Sequence, residues 1–178
     1  MVTECGVAIA GVLIRDAHES DAAAVADIYA HHVLNGTATY DIEPPPTDFL
    51  RAKIRGVLEA GWPFLVATLN GALVGYAYAT QFRDRAAYRF SCEDSIYVHP
   101  DWMGRGIGKA LMHALLGQSV KCGFRQMIAV IGGAEPGSIA LHAVCGFEEV
   151  GRLRSVGFKN ERWLDSVYMQ KELASQAG

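Results

Sequence analysis

Apolar residues at Val25, Ile28, Tyr29 and His32 recur at the three- and four-residue spacing of one helical face, and Ser20 or Asp21 just before them can cap a helix N-terminus. Val12 to Ala17 ahead of this segment reads as a strand, and Asn35-Gly36 after it stops the helix. Thr37 to Pro46 contains three consecutive prolines and cannot be helical. Thr47 or Asp48 then caps a second helix with Leu50, Ile54, Val57 and Leu58 on one face and Gly61 beyond its end. Phe64 to Thr68 and Ala72 to Thr80 are β-rich runs around Asn70-Gly71, a strong signal for a tight antiparallel hairpin. Glu93 to Val98 is a further strand, followed by a glycine-rich loop. A helix runs from about Ile107 to Lys121, with Ile107, Leu111, Ala114 and Leu115 inward and Gly123 as its stop. Gln126 to Ile131 reads as a buried strand and Ser138 to Val144 as a short helix ended by Gly146. Phe147 to Ser155 and Leu164 to Leu173 read as the last two strands.

The order β-α-α-β-β-β-α-β-α-β-β, without repeat or linker, predicts an α/β fold: one mixed, partly parallel sheet with helices on both faces. It spans residues 12–173 as one domain, between a loose leader at 1–11 and a tail at 174–178. At 178 residues, 51% apolar and 20% charged, the chain can bury a core unaided, which excludes disorder and a disulfide-stapled miniprotein. A formal charge of −3 with no run of five like charges offers no nucleic-acid footprint. Cys5, Cys92, Cys122 and Cys145 lack zinc spacing and read as reduced cytosolic thiols. The apolar run from Cys5 to Ile14 follows Glu4 rather than a basic residue and is too short to cross a bilayer, so a cytoplasmic protein without a membrane partner is expected.

The densest chemical signal is Trp102-Met103-Gly104-Arg105-Gly106-Ile107-Gly108-Lys109-Ala110, between a strand and a long amphipathic helix. Three alternate glycines let the backbone turn tightly and approach a ligand, and the free N–H groups and positive dipole end of the new helix suit a pyrophosphate. A P-loop would need Gly at Met103 and Ser or Thr at Ala110. A dinucleotide fingerprint would need Gly or Ala at Lys109 or Leu111, so both readings fail. The alternative to a cradle is a glycine-rich turn that binds nothing.

The strand Ser95-Ile96-Tyr97-Val98-His99-Pro100, this loop, and Ser138 through Leu141-His142 to Gly146-Phe147 together resemble the acyl-CoA-binding core of the GNAT superfamily of N-acetyltransferases. Within it the chain is most similar to the phosphinothricin and methionine sulfone (sulfoximine) acetyltransferases. That similarity rests on Arg85-Ala86-Ala87-Tyr88 before Glu93, Ala129-Val130-Ile131-Gly132, and Gly157-Phe158-Lys159 with Trp163 and Asp165. The resemblance implies the GNAT fold, acetyl-CoA as co-substrate and a homodimer. It places the co-substrate on Tyr97, Val98, His99, Arg105, Gly106, Ile107, Gly108, Lys109, Ala110 and Ser138. Met103 stands where Gln or Arg usually opens the loop, Glu135 where Asn is usual, and His142 where Tyr is frequent.

A free α-amine has a pKa of about 7.7 to 8.0 and must lose its proton before attacking a thioester. Glu93, which matches the family's catalytic carboxylate, is the expected general base, acting directly or through a water. The backbone N–H of Val98 is the expected donor to the charged thioester oxygen. His142 can protonate the departing thiolate or be a satisfied core histidine. Arginine forks bind carboxylate, sulfonyl and phosphinyl oxygens in pairs. Arg83, Arg85 and Arg89 therefore either face the acceptor or form a solvated loop. The resemblance favours Arg85 and Tyr88, with Thr39 or Tyr40 closing over the substrate. The other histidines lack metal spacing, so no metal is expected. The reading is direct acetyl transfer to the α-amine of a small amino-acid analogue. The rivals are a GNAT enzyme for another amine, such as a protein N-terminus or a polyamine, and a regulatory acyl-CoA-binding module without catalysis.

Overall fold

Period-two burial shows first in the strand Phe64–Leu69, where Phe64 and Val66 join one core, Leu65 and Ala67 the other, and all four are inaccessible to solvent. The computed structural model describes residues 11–173; the tail at 174–178 and the leader, apart from Gly11, lie outside them. Strands β1 (Val12–Asp16), β2 (Phe64–Leu69), β3 (Ala72–Gln81), β4 (Ser91–Val98), β5 (Gln126–Gly132), β6 (Glu148–Lys159) and β7 (Arg162–Glu172) form one seven-stranded sheet in the order β1-β2-β3-β4-β5-β7-β6. The helices are α1 (Ala22–Asn35), α2 (Thr47–Glu59), α3 (Ile107–Lys121) and α4 (Pro136–Val144). On one face Val25 and Ile28 of α1 and Leu50, Ile54 and Val57 of α2 pack on Phe64, Val66 and Tyr76. On the other, Ile107, Leu111, Met112 and Leu115 of α3 pack on Leu65, Ala77, Met127, Ala129 and Val167. Helices therefore cover both faces of a mixed sheet, as the element order predicts.

Among the described residues only β4 and β5 run parallel, and they pair over three residues: Ser91 with Gln126, Cys92 with Met127 and Glu93 with Ile128. Beyond Glu93 the two strands part. β4 stays paired to β3 as far as Val98, and β5 to β7 as far as Gly132, so each wall of the resulting gap is held from its outer side.

The boundaries differ from the sequence reading in a few places. β6 runs on past Ser155 to Lys159 and turns at Asn160-Glu161, both left-handed at φ 50° and 58°, into a β7 that starts at Arg162. Two successive left-handed residues match the twist of a tight hairpin. The alternation breaks at Ser155 because that residue is itself left-handed (φ 52°), in a register slip between Leu153 and Gly157. Pro46 takes the cap position of α2, and α4 starts at Pro136 rather than Ser138. Leu58 is exposed, whereas Met112 joins the core. Among the described residues no helix is long and apolar enough to cross a membrane.

Candidate active site

The gap between β4 and β5 opens into a cavity of about 240 Å³, walled by Glu93 to Tyr97, Ala129 to Gly132, the loop residues Ala38 to Tyr40, and Ser138 and His142 of α4. Glu93 is the last paired residue of β4 before the strands part. Burial is the largest influence on its carboxyl and lifts its pKa above the usual 4.5, while Arg83, whose Nη1 lies 3.5 Å from Oε2, pulls it back. A carboxylate with raised basicity at the neck of a cavity is suited to accepting a proton.

Five residues along β4, the Val98 carbonyl accepts a 2.9 Å hydrogen bond from Nε2–H of His32. Burial lowers the pKa of His32, which favours the neutral ring. A residue's C=O and N–H point to the same side of a strand, so the Val98 N–H is also turned away from β3, toward the gap. α3 begins there. Gly106 sits at its N-cap with φ 83°, and the first helical bond runs from Ala110 N–H to the Gly106 carbonyl. The N–H groups of Ile107, Gly108 and Lys109 thus have no acceptor within the helix, and together with the helix dipole they can hold a pyrophosphate. Gly108 also serves packing: a Cβ there would lie 3.2 Å from Leu141 Cδ2 and 3.6 Å from Val98 Cγ2. Arg105 stacks over Trp102 at 4.6 Å. His99 accepts the Asp101 N–H and caps the turn Pro100–Trp102, while Tyr97 is packed between Tyr29 and Tyr76.

His142 is buried on α4. Its Nδ1 lies 2.7 Å from the Ser138 carbonyl oxygen, and its Nε2 lies 3.0 Å from Oδ2 of Asp94, itself buried. His142 thus lines the cavity with both ring nitrogens partnered, as in the reading of a satisfied core histidine. Asp94 was not among the expected site residues. Its signal was an acid two residues beyond buried Cys92, on the strand face where an apolar side chain belongs. Glu135, the departure from the family's Asn, caps α4 by accepting the Ser138 N–H at 2.7 Å.

The Pro-rich loop is tied down residue by residue. Thr39 pairs with the Tyr29 hydroxyl at 2.8 Å, and its carbonyl accepts from Nζ of buried Lys159 at 2.9 Å. The Tyr40 hydroxyl donates to the Asp165 carbonyl and shares a hydrogen bond with Ser166 Oγ. Thr39 and Tyr40 therefore line the same cavity as Glu93. Arg85 and Tyr88 do not line it. They lie on the exposed β3–β4 loop, with Tyr88 edge-on to Phe82, and only Arg83 of this group reaches Glu93. Sequence reasoning also missed His32 and Lys159 as hydrogen-bond donors, because both act on carbonyls far away along the chain. Among the described residues no group of three His, Cys, Asp or Glu could hold a metal ion.

The profile of the acetyltransferase (GNAT) family matches residues 26–147. A phosphinothricin N-acetyltransferase of Alcaligenes faecalis is 47% identical over 161 residues, 90% of this chain and 82% of that protein. An L-methionine sulfoximine/L-methionine sulfone acetyltransferase of Salmonella typhimurium is 36% identical over 164 residues, 92% of this chain and 96% of that one. The crystal structure of a GNAT superfamily phosphinothricin acetyltransferase from Sinorhizobium meliloti, in complex with AcCoA, superposes with a TM-score of 0.90 at 48% identity, covering 92% of this chain and 89% of that one. With a parted β4–β5 pair, a helix N-terminus at its mouth and matches of this extent, the chain belongs to the acetyltransferase (GNAT) family.

Proposed function

We propose that this protein transfers the acetyl group of acetyl-CoA to the α-amine of a small amino-acid analogue of the phosphinothricin, methionine sulfone or methionine sulfoximine type. Family membership makes it an acetyl-CoA-dependent N-acetyltransferase. The acceptor class is supported by the relatives named above and by Arg83 beside Glu93. The observation that carries the reading is the arrangement along β4: a carboxyl made more basic by burial at the neck of the gap, and a backbone N–H turned into the gap five residues on, next to the start of α3.

Each residue then has a task. Ile107 to Lys109 hold the pyrophosphate through their backbone N–H groups, with Arg105 and Lys109 adding positive charge. Bound acetyl-CoA supplies a thioester carbonyl. Glu93 accepts a proton from the ammonium, directly or through a water, so that the nitrogen lone pair is free. The new C–N bond forms, the C–S bond breaks and its electron pair leaves on sulfur. Val98 N–H steadies the charge on the carbonyl oxygen. The second amine proton reaches the thiolate through solvent, so the products are amide and thiol. Thr39 and Tyr40 hold the acceptor in the cavity they line with Glu93, and Arg83 takes its carboxylate. The proposal includes a homodimer, supported by Val150, Leu153, Val156 and Phe158 exposed along the edge strand β6. It also includes a cytoplasmic location, supported by the free thiols of Cys92, Cys122 and Cys145.

The test is thiol release from acetyl-CoA with purified protein against phosphinothricin, methionine sulfone, methionine sulfoximine, their carboxamides, polyamines and peptides with free N-termini. Turnover with the amino acids and little with the carboxamides is expected. Faster turnover on peptides or polyamines overturns the acceptor class, and binding of acetyl-CoA without any turnover overturns catalysis.

A further inference from the structure

We propose that Asp94 is a positioning residue for the acetyl transfer: it holds His142 as a doubly protonated imidazolium whose fixed positive charge faces the gap where the thiolate departs. This rests on the acetyl-transfer reading above and changes the part His142 plays in it. The argument is one of valence. A carbonyl oxygen only accepts hydrogen bonds, so Nδ1, at 2.7 Å from the Ser138 carbonyl, carries a proton. Nε2 faces Oδ2 of Asp94 at 3.0 Å, and a carboxylate also only accepts. With both acceptors in place the ring bears two protons and a full charge. The other arrangement puts the second proton on Oδ2. It leaves a neutral ring that donates to the carbonyl, although a contact as short as 2.7 Å is typical of a charged donor.

Burial sharpens the choice. Both side chains are almost wholly inaccessible, at 3% for His142 and 2% for Asp94. Asp94 Oδ1 has no donor from the protein, so among the described residues the ring is the one group compensating the buried carboxylate. A buried charge left alone is strongly unfavourable, so carboxylate and imidazolium hold one another in the charged state. The pKa of His142 responds accordingly: burial lowers it most, but the bond and charge of Asp94 with the Ser138 carbonyl outweigh burial and raise it above 6.5. Other ionisable groups nearby act on the neighbours of the pair. Lys109 of α3 and Lys171 of β7 act on Cys145, Glu93 and Cys92 of β4 flank Asp94, and Glu135 caps the turn below Ser138. From the remaining side the edge of His142 meets the apolar ring of Phe147.

The consequence is chemical. A histidine whose two N–H groups are both committed cannot hand over a proton without breaking the ion pair, but it stabilises negative charge developing on sulfur without titrating. The test begins with the protein alone, by nitrogen-detected NMR of 15N-histidine-labelled enzyme across pH 5 to 9, a span that brackets the ordinary histidine value of about 6.5. The His142 signal is assigned with H142Q. Two protonated nitrogens persisting above pH 6.5 are expected in the wild type, with the midpoint falling below 6.5 in D94N, where burial acts nearly unopposed. A neutral His142 ring at pH 7 in the wild type overturns the proposal. In steady-state kinetics D94N should lose kcat on the order of 10²-fold, the scale of removing one preorganised electrostatic contact, with acetyl-CoA affinity by calorimetry within about threefold. The double variant D94N/H142Q keeps an uncharged hydrogen-bonded pair of similar shape and should stay slow. If it folds and recovers wild-type kcat, the charge is only structural and the proposal falls. A wild type that releases no thiol with any amine refutes the acetyl-transfer reading instead, a result separate from an active enzyme in which D94N changes nothing.

Discussion

Glu93 and Asp94 are neighbours in the chain with opposite duties, because a strand turns successive side chains to opposite faces of its sheet. Glu93 lies beside Arg83; Asp94 faces α4 and His142. Glu93→Gln keeps the shape and removes the proton acceptor, so kcat should drop on the order of 10²- to 10⁴-fold with acetyl-CoA affinity nearly unchanged. A variant with wild-type kcat between pH 6 and 9 places the base elsewhere. The pH profile carries a sign. The working form of Glu93 is deprotonated and its pKa is raised, so activity should climb with pH through a midpoint above the usual 4.5. Arg83 holds that pKa down, so Arg83→Ala should move the rising limb to still higher pH, and a limb that stays put or moves down removes Arg83 from the pair. His142 gives stability its own pH dependence. Its folded-state pKa is raised, so the stability it contributes is fully present below about 6.5 and is lost as pH rises through the raised value. Urea unfolding across that range should show a loss in the wild type that is absent in D94N.

At the scale of elements, the Pro-rich loop between α1 and α2 is held by the β6–β7 hairpin rather than by its own sequence. Tyr40 packs against Gly157, where an added Cβ would run into its ring carbons Cε1, Cδ1 and Cζ. Gly157→Ala should therefore push Tyr40 off its seat against Asp165 and Ser166 and raise KM for the amine roughly tenfold, the scale of about 1.4 kcal/mol. The CoA side should be untouched. An equal rise in both KM values would show a general loss of structure. α3 is placed by glycines in two ways: the left-handed φ of Gly106 opens the helix, and Gly108 lets it approach Leu141. Gly108→Val should weaken acetyl-CoA binding by about tenfold or more, both by filling the approach to the free N–H groups and by pressing α3 off α4. Calorimetry with unchanged affinity in a folded variant excludes the cradle.

For the whole molecule, the catalytic gap exists because two hydrophobic cores clamp the sheet from opposite faces while β4 and β5 part between them. Leu111 of α3 is fully buried against the sheet near Gly75, so Leu111→Ala should lower stability by about 2 to 5 kcal/mol, read as an earlier denaturant midpoint. A loss under about 1 kcal/mol would mean that the cavity collapses easily at that site. Light scattering on the purified protein tests the homodimer, and a charged residue at Val156 should shift a dimer toward monomer.

The order of elements, the Asn70-Gly71 hairpin, the glycine-opened start of α3, and Glu93 and His142 as candidate residues, which the fold brings to one cavity, were legible in the sequence. Each is encoded by neighbours within a few residues: a side-chain period, a turn dipeptide or a short motif. The full length of β6 and β7 was not, because the left-handed Ser155 interrupts the alternation and the Asn160-Glu161 turn lacks a glycine. The placing of Arg85 and Tyr88 outside the cavity was decided by the course of an exposed loop, which no periodicity records. The same holds for His32 on the Val98 carbonyl, Lys159 on that of Thr39, and Asp94 against His142. These pairs lie 66, 120 and 48 residues apart, and only tertiary packing brings them within hydrogen-bonding distance. The chain's local chemistry names candidate groups, whereas their charge states follow from burial and long-range partners, which exist only once the sheet has been assembled.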